Sequence, residues 1–241
     1  MHPRPLKFNS KSTDISMPKP PLNQSERERN VANMLATLRI EKLEPSDSLK
    51  PALQAYVDGQ KTTVDLLNEV KAKYVALQRG WRLLHPWHCC SEKKAGITNQ
   101  DLLDEYEADF TAIRILELAQ APVEGNFNLT HLCKIHEYLF QDVYEWAGEI
   151  RSVDIIRGDS RFCNVRQIQS YSNTVFSVLA AEDYLNNLES IALARRLGHY
   201  LSEINAIHPF REGNSRVGAK FGLIRADHAL WIGTSGRCSS K

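Results

Sequence analysis

No run in this 241-residue chain is apolar for the eighteen or so positions that a membrane-spanning helix requires, so no bilayer segment is expected. Neither sign of charge dominates: 30 Lys and Arg stand against 29 Asp and Glu, for a formal net charge of +1. Without a global field, charge alone recruits neither nucleic acid nor an acidic membrane surface, and partners must be recognised by shape. Cysteine is scarce. Cys89, Cys90, Cys133, Cys163 and Cys238 are odd in number and lack a framework spacing, which suits a reducing compartment. Met1–Pro21 has no hydrophobic core of the signal-peptide kind, so a cytoplasmic location is expected. His85, His88, Cys89 and Cys90 are soft metal ligands, but adjacent ligands on so short a loop cannot readily close a tetrahedron, and the stretch reads as an irregular linker.

What is present is mostly helical periodicity. Residues 1–24 hold five of the ten prolines with little apolar content and read as a disordered tail. Ser25-Glu26-Arg27-Glu28 reads as a capping box, followed by Val31, Met34, Leu35 and Leu38 at helical spacing up to Glu44-Pro45. Leu49, Leu53, Tyr56 and Val57 predict a second helix; Val64, Leu67, Val70 and Tyr74, capped by Thr62 and Asp65, predict a third. Three short helices over residues 25–78 bury too little among themselves, so they are expected to pack on the rest of the chain. An irregular linker (79–95) leads to residues 96–232, where Thr98 and Asp101 cap a helix through Leu102, Tyr106, Phe110 and Ile113, and Leu129 to Phe140 form another. Residues 233–241 read as a disordered tail. No internal repeat or long heptad run interrupts this order.

The densest chemistry lies in His208-Pro209-Phe210-Arg211-Glu212-Gly213-Asn214-Ser215-Arg216. Leu185, Leu188, Ile191, Leu197, Leu201 and Ile204 predict a helix over residues 184–206, and Pro209 forbids its uninterrupted continuation, so His208 sits at a helix exit. Val217, Phe221 and Ile224 predict a second helix starting near Gly213, whose free N–H groups and positive dipole end attract an anion. A neutral imidazole can take a proton, Glu212 can hold a hard divalent cation, Asn214 can donate to a phosphate oxygen, and the guanidinium of Arg216 can clamp one. Phe210 is expected to point into the core. His136 and His199 read as packing or hydrogen-bonding residues, Arg211 as a solvent-facing charge and Trp146 as core.

This string resembles the signature of the Fic (filamentation induced by cAMP) family, H-x-F-x-[DE]-G-N-x-R, and Ile135–Arg151 is similar to the segment leading into that family's flap, a short hairpin over Ser152–Ile156 with Gly158. The resemblance implies an all-α domain with one β-hairpin that transfers AMP from ATP to a Ser, Thr or Tyr hydroxyl of a target protein. His208 is then the general base and Glu212 holds Mg2+. Phe210, Gly213, Asn214, Ser215 and Arg216 form the nucleotide-binding turn, and Ser152, Val153, Asp154, Ile155 and Ile156 dock the target as an added strand. Two positions depart from the family's G-N-G-R-x-x-R: Ser215 replaces the second glycine, and Ala219 replaces a second arginine, which weakens the ATP clamp.

Thr37-Leu38-Arg39-Ile40-Glu41-Lys42 resembles the inhibitory motif of Fic antitoxins, [ST]-x-x-x-E-[GN], with Lys42 off-pattern. The resemblance implies an intramolecular antitoxin in which Thr37 and Glu41, i and i+4 on one helix face, aim a carboxylate at the active site. With Ala219 in place of the arginine, Glu41 is expected to pair with Arg216 or to repel the nucleotide's phosphates. The leading expectation is thus a self-inhibited protein adenylyltransferase of toxin–antitoxin type. A Fic-fold enzyme moving phosphate, UMP or phosphocholine, and a catalytically impaired binding module, remain as alternatives. Residues 81–93 and 233–241 fit neither half and are expected to come from shifted reading frames.

Overall fold

The computed structural model describes residues 21–84, 99–158 and 160–235. Cys89, Cys90, Cys238, Thr98 and the His85–Cys90 run lie outside them. The described residues form eight α-helices and one hairpin: α1 (Gln24–Arg39), α2 (Lys50–Val57), α3 (Thr63–Leu84), α4 (Gln100–Gln120), α5 (Leu129–Phe140), β1 (Ile156–Arg157), β2 (Ser160–Arg161), α6 (Ile168–Ala181), α7 (Ser190–Ile207) and α8 (Asn214–Ser235). The fold is all-α, with, among the described residues, a single antiparallel β1–β2 pair, Ile156 opposite Arg161 and Arg157 opposite Ser160, turned at Gly158. None of the described helices is long and apolar enough to cross a membrane.

α4 is the central column, buried along nearly its whole length from Leu103 to Leu118. α1 and α3 pack on one side of it and α5 on another, and α8 packs against α5, α7 and α1. Met34 and Leu38 of α1, Tyr56 of α2 and Leu66 of α3 belong to one continuous core with Ile113, Phe140, Phe210 and Val217. The first three helices therefore bury their apolar faces on the remainder of the chain rather than on each other alone.

Several boundaries move from their expected places. The capping box is made by Asn23 and Glu26, not Ser25: Asn23 Oδ1 accepts from Glu26 N–H and Glu26 answers at Asn23 N–H, both at 2.9 Å. α1 stops at Arg39, before Glu44-Pro45, because the chain closes a Schellman turn: Leu43 N–H bonds Leu38 O at 3.2 Å and Lys42 N–H bonds Arg39 O at 3.1 Å. Thr62 and Asp65 do cap α3, which continues past residue 78 to Leu84. Asn99, not Thr98, caps α4 by accepting from Leu102 N–H at 2.9 Å. α7 begins at Ser190, and its inward face is Leu193, Tyr200, Ile204 and Ile207, while Leu188 and Ile191 are exposed. The aromatic Tyr200 rotates the buried stripe away from the purely aliphatic reading.

The seam between α1–α3 and α4 is closed by a polar hub. The fully buried carboxylate of Asp109 accepts from Ser46 N–H (2.8 Å), Ser46 Oγ (2.7 Å), Lys73 Nζ (3.0 Å) and Tyr74 OH (2.9 Å). Lys73 also reaches Glu105 at 2.5 Å. A buried carboxylate with four donors is stable, but deleting it takes a partner from Ser46, Tyr74 and Lys73 at once and leaves the Lys73 cation to Glu105. Asp109→Ala is therefore expected to lower the unfolding free energy by about 3–5 kcal/mol, read as a fall in the urea midpoint. An unchanged midpoint would show that the hub does not hold the two halves together.

Candidate active site

His208 terminates α7 in the left-handed region (φ 48°, ψ 61°), its N–H still bonded to Ile204 O at 3.0 Å. Pro209 then turns the chain, Phe210 plugs the core at 0 % exposure, and α8 starts at Asn214. Two features lock this turn. Asn214 Oδ1 accepts from Phe210 N–H at 2.9 Å and its Nδ2 donates to Phe210 O at 2.8 Å, so the amide expected to meet phosphate is spent on the loop. Gly213 has φ +74°, and a Cβ there would sit 2.2 Å from Phe140 Cζ. Glycine is required by the backbone and by the Phe140 ring together. Ser215 is an ordinary helical residue, so losing the motif's second glycine leaves the backbone unstrained.

His136 holds the same turn from beneath. Gly148 N–H donates to its Nδ1 at 2.8 Å, which assigns the ring proton to Nε2 for the 3.2 Å bond to Glu212 O, and the ring stacks on Phe210 at 4.0 Å. It is a structural residue, as its type and position suggested. Burial drives its pKa down to about 3. Arg151, buried in the segment before the flap, adds a second staple: Nε donates to His208 O (2.7 Å), Nη1 to Val153 O (2.6 Å) and Nη2 to Cys163 O, while its own N–H meets Pro209 O at 2.9 Å.

In front of the turn lies a cleft of about 720 Å3, walled by Glu41 and Lys42 from the end of α1, Glu107 from α4, Tyr144 and Trp146, Val153, Ile155 and Arg157 from the flap, and Arg211, Glu212 and Ser215 from the motif. Trp146 is thus half-buried at the rim rather than core; it stacks on Tyr144 at 4.2 Å with Arg211 over its ring at 5.5 Å. Arg216, 2 % exposed, stands behind the wall. Its Nη2 meets Glu107 and, at 2.6 Å, Glu41; Nη1 reaches Thr111 Oγ1 at 3.4 Å; its Nε is buried without a partner and is an unspent donor. Glu212 sits at the rim, 4.0 Å from Arg157. Its carboxyl pKa is pushed up by partial burial first, then by Glu107 and Glu41, against the pull of Arg157 and Arg216. With Asp104 of α4, four carboxylates line one cleft.

His208 does not line this cleft. Its ring is 5 % exposed and lies under Phe162, centroids 3.7 Å apart with the planes 14° from parallel. Nδ1 of the ring is buried with no hydrogen-bond partner. Burial lowers its pKa to about 4, with Arg157 and Arg151 adding to the shift and the Asn205 carbonyl opposing it. His131 is lowered in the same direction, burial again the first cause.

These histidines give the fold an acid liability. Each has a folded-state pKa below the ordinary value near 6.5, so the unfolded chain binds protons that the native one refuses. Stability is unaffected above that value and falls as the pH drops toward 4. The urea unfolding free energy is expected to be lower at pH 4.5 than at pH 7 by on the order of 3–5 kcal/mol. A flat profile between pH 7 and 5 would contradict the neutral buried rings.

The inhibitory and flap residues are placed differently from their expected roles. Thr37 is buried and turns its hydroxyl back to Asn33 O at 2.8 Å, away from the cleft. Glu41 is not on the helix face with it: α1 has ended, and the Schellman turn swings the carboxylate onto Arg216. Lys42 takes φ +60°, which explains why the motif it resembles carries Gly or Asn there. In the flap, only Ile156 of the five expected docking residues lies in a strand. Ser152 and Val153 form a bend, Ile155 lines the cleft, and Asp154 is a staple that accepts from Val165 N–H (2.7 Å) and Asn164 Nδ2 (2.9 Å). Val153 and Ile156 present apolar side chains to solvent at 56 % and 58 % exposure.

Sequence reasoning missed Glu107, Arg151 and Phe162. Glu107 is buried on α4 and meets Arg216 of α8, a pairing visible only once the two helices are brought together.

A left-handed helix exit bearing an imidazole is joined here to a helix start backed by a buried arginine and faced by acids, within an all-α domain. Comparison with known proteins agrees. The Fic/DOC family matches residues 126–223 and the antitoxin VbhA family residues 27–73. Protein adenylyltransferase VbhT of Bartonella schoenbuchensis is 44 % identical over 126 residues, 52 % of this chain, which spans only 26 % of VbhT. The protein named Probable protein adenylyltransferase Fic of Salmonella typhimurium is 37 % identical over 154 residues, covering 62 % of this chain and 76 % of that one. Among solved structures, the N-terminal Fic domain of a VirB-translocated Bep effector protein from Bartonella quintana with bound ADP superposes with a TM-score of 0.53 at 26 % identity, over 60 % of this chain and 75 % of that one. The chain belongs to the Fic/DOC family and carries an antitoxin VbhA-like region at its N-terminal side.

Proposed function

We propose that this chain transfers AMP from ATP to a hydroxyl side chain of a target protein, and that Glu41 restrains the reaction from within the same chain. The observation that carries the first part is the motif turn itself: a base at the α7 exit, the first N–H groups of α8 and the buried Arg216 with a donor to spare converge on one loop. Relatives named protein adenylyltransferases and a neighbour holding ADP support the same reading.

In this reading Nε2 of His208 takes the proton of the incoming hydroxyl. The hydroxyl oxygen forms its bond to the α-phosphorus while the bond from that phosphorus to the bridging oxygen breaks, and pyrophosphate leaves. Arg216 and the N-terminal amides of α8 stabilise the charge that builds on the phosphates. Glu212 would hold a Mg2+ ion: its carboxyl is raised first by burial and then by Glu107 and Glu41, whose charge a hard cation would relieve, and the metal would neutralise phosphate charge. The exposed Val153 and Ile156 offer the flap's apolar side to a target strand, with main-chain bonds supplying affinity.

The restraint follows from the pairing. Glu41 holds the guanidinium that a phosphate needs, at 2.6 Å, and it does so where Ala219 offers no alternative partner. Incubation of the purified protein and of Glu41→Gly with α-labelled ATP and a cell extract tests the function. Label on protein is expected, and is expected to be stronger for the variant. Nucleotide-dependent thermal stabilisation with no transfer by either protein would replace this reading with a binding module, and transfer of γ-label alone would make it a phosphotransferase.

A further inference from the structure

We infer that Phe162 is a positioning residue for His208: through it the flap fixes the plane of the imidazole and keeps water from one of its faces. The inference deepens the assignment of His208 as the base and rests on it for its catalytic consequence.

Phe162 follows β2 directly and is held from both sides. Its N–H meets Ile155 O at 3.4 Å, extending the Ile156–Arg161 pairing by one step, and the next residue ties to the end of α7 through Cys163 N–H to Ala206 O at 3.0 Å. Arg151 closes the frame, bonding the carbonyls of Cys163 and His208 with one guanidinium. Hairpin, α7 exit and aromatic pair are thus linked in one short circuit. Within it the Phe162 ring lies over the His208 ring at 3.7 Å and 14°.

A Phe in that place could be simple packing, but its surroundings argue otherwise. Phe162 is only half-buried and its partner is the base, whereas the aromatics that fill the core, Phe110, Phe140 and Phe210, are almost wholly enclosed. The stack also has a chemical effect. Covering one ring face keeps water from it, which disfavours the charged form and works against the attraction that a phenyl face has for a cation. The low pKa of His208 has burial as its first cause, and the charged groups acting on the ring, Arg157 of the flap and Arg151, push the same way. The Phe162 ring covers one face of the imidazole at 3.7 Å. The base is then held parallel to a ring of the flap, so the hairpin and the imidazole are packed as one unit.

The test is an NMR titration of the His208 imidazole, assigned by its loss in His208→Gln, in the full chain and in Phe162→Ala, Phe162→Leu and Phe162→Tyr. Removing the ring is expected to weaken the bias against protonation at least tenfold, moving the midpoint from about 4 toward the ordinary histidine range. Tyrosine, which keeps the stacked plane, is expected to hold the low midpoint. Leucine, which fills the space without a plane, is expected to fall between and serves if the alanine variant unfolds. In a Glu41→Gly background, the acid limb of kcat for AMP transfer is expected to rise with the midpoint while KM for ATP stays within about threefold.

An unmoved midpoint in folded Phe162→Ala and Phe162→Leu would overturn the inference. A midpoint that moves as described in a protein that transfers no AMP in any background would leave the positioning standing and remove the adenylyltransferase reading instead.

Discussion

Replacing His208 with alanine is expected to lower AMP incorporation by roughly 10²–10⁴-fold, the usual range for loss of a positioned general base. The expectation rests on where the ring is held, since α7 ends on it in a left-handed conformation that a non-glycine residue adopts only under constraint. Its backbone carbonyl is pinned by Arg151 and its side chain by Phe162. With a pKa near 4 the imidazole is neutral through the physiological range, so the acid limb of the wild-type rate is expected near pH 4–5 rather than near 6.5. Nucleotide affinity is expected to survive in His208→Ala, because Arg216 and the start of α8 are untouched. Labelling with α-labelled ATP in a Glu41→Gly background, with KM and kcat separated, checks both points. A variant that keeps more than a tenth of the rate would mean that the proton leaves by another route.

Replacing Glu41 with glycine is expected to lower KM for ATP by about 10–100-fold, from the 1.5–3 kcal/mol that a hydrogen bond between charged groups contributes. Here a carboxylate at 2.6 Å and a phosphate compete for one guanidinium. Competition has a kinetic signature: raising ATP is expected to overcome the restraint in the unaltered protein, with kcat changing much less than KM. Glu107 remains on Arg216 in the variant, so the guanidinium stays aligned rather than swinging free. Glu41→Gln, which keeps the shape but not the charge, is expected to fall between the two. Equal KM values in all three proteins would rule out rivalry for Arg216 and leave Glu41 as a turn residue.

Much of this site was legible in the chain because its chemistry is consecutive. Nine residues from His208 to Arg216 carry a base, a carboxylate, a glycine, an amide and a cation, and the proline and apolar spacing around them place the turn between two helices. The expected pairing of Glu41 with Arg216 also followed, since Ala219 left no other arginine at that position of the motif. Periodicity served less well where a helix has more than one plausible inner face. For α7 it favoured Leu188 and Ile191, which are exposed, and passed over Tyr200, which is buried. The flap strand falls at Ile156–Arg157, later than expected, because Asp154 is engaged by Val165 and Asn164 and bends the chain before it can pair.

Local order therefore followed from the residues alone: the Thr62–Asp65 cap, the break at Pro209, the glycine at φ +74° and the identity of the groups able to move a proton or hold a phosphate. Which of those groups meet was decided by packing. Arg216 finds Glu107 from 109 positions earlier in the chain, His208 finds Phe162, and Asn214 turns inward to Phe210 instead of outward to a ligand. Hydrogen bonding and helical spacing act over a few residues and can be read along the chain. A contact between distant helices depends on how several apolar faces settle against one another at once, and no single segment contains that information.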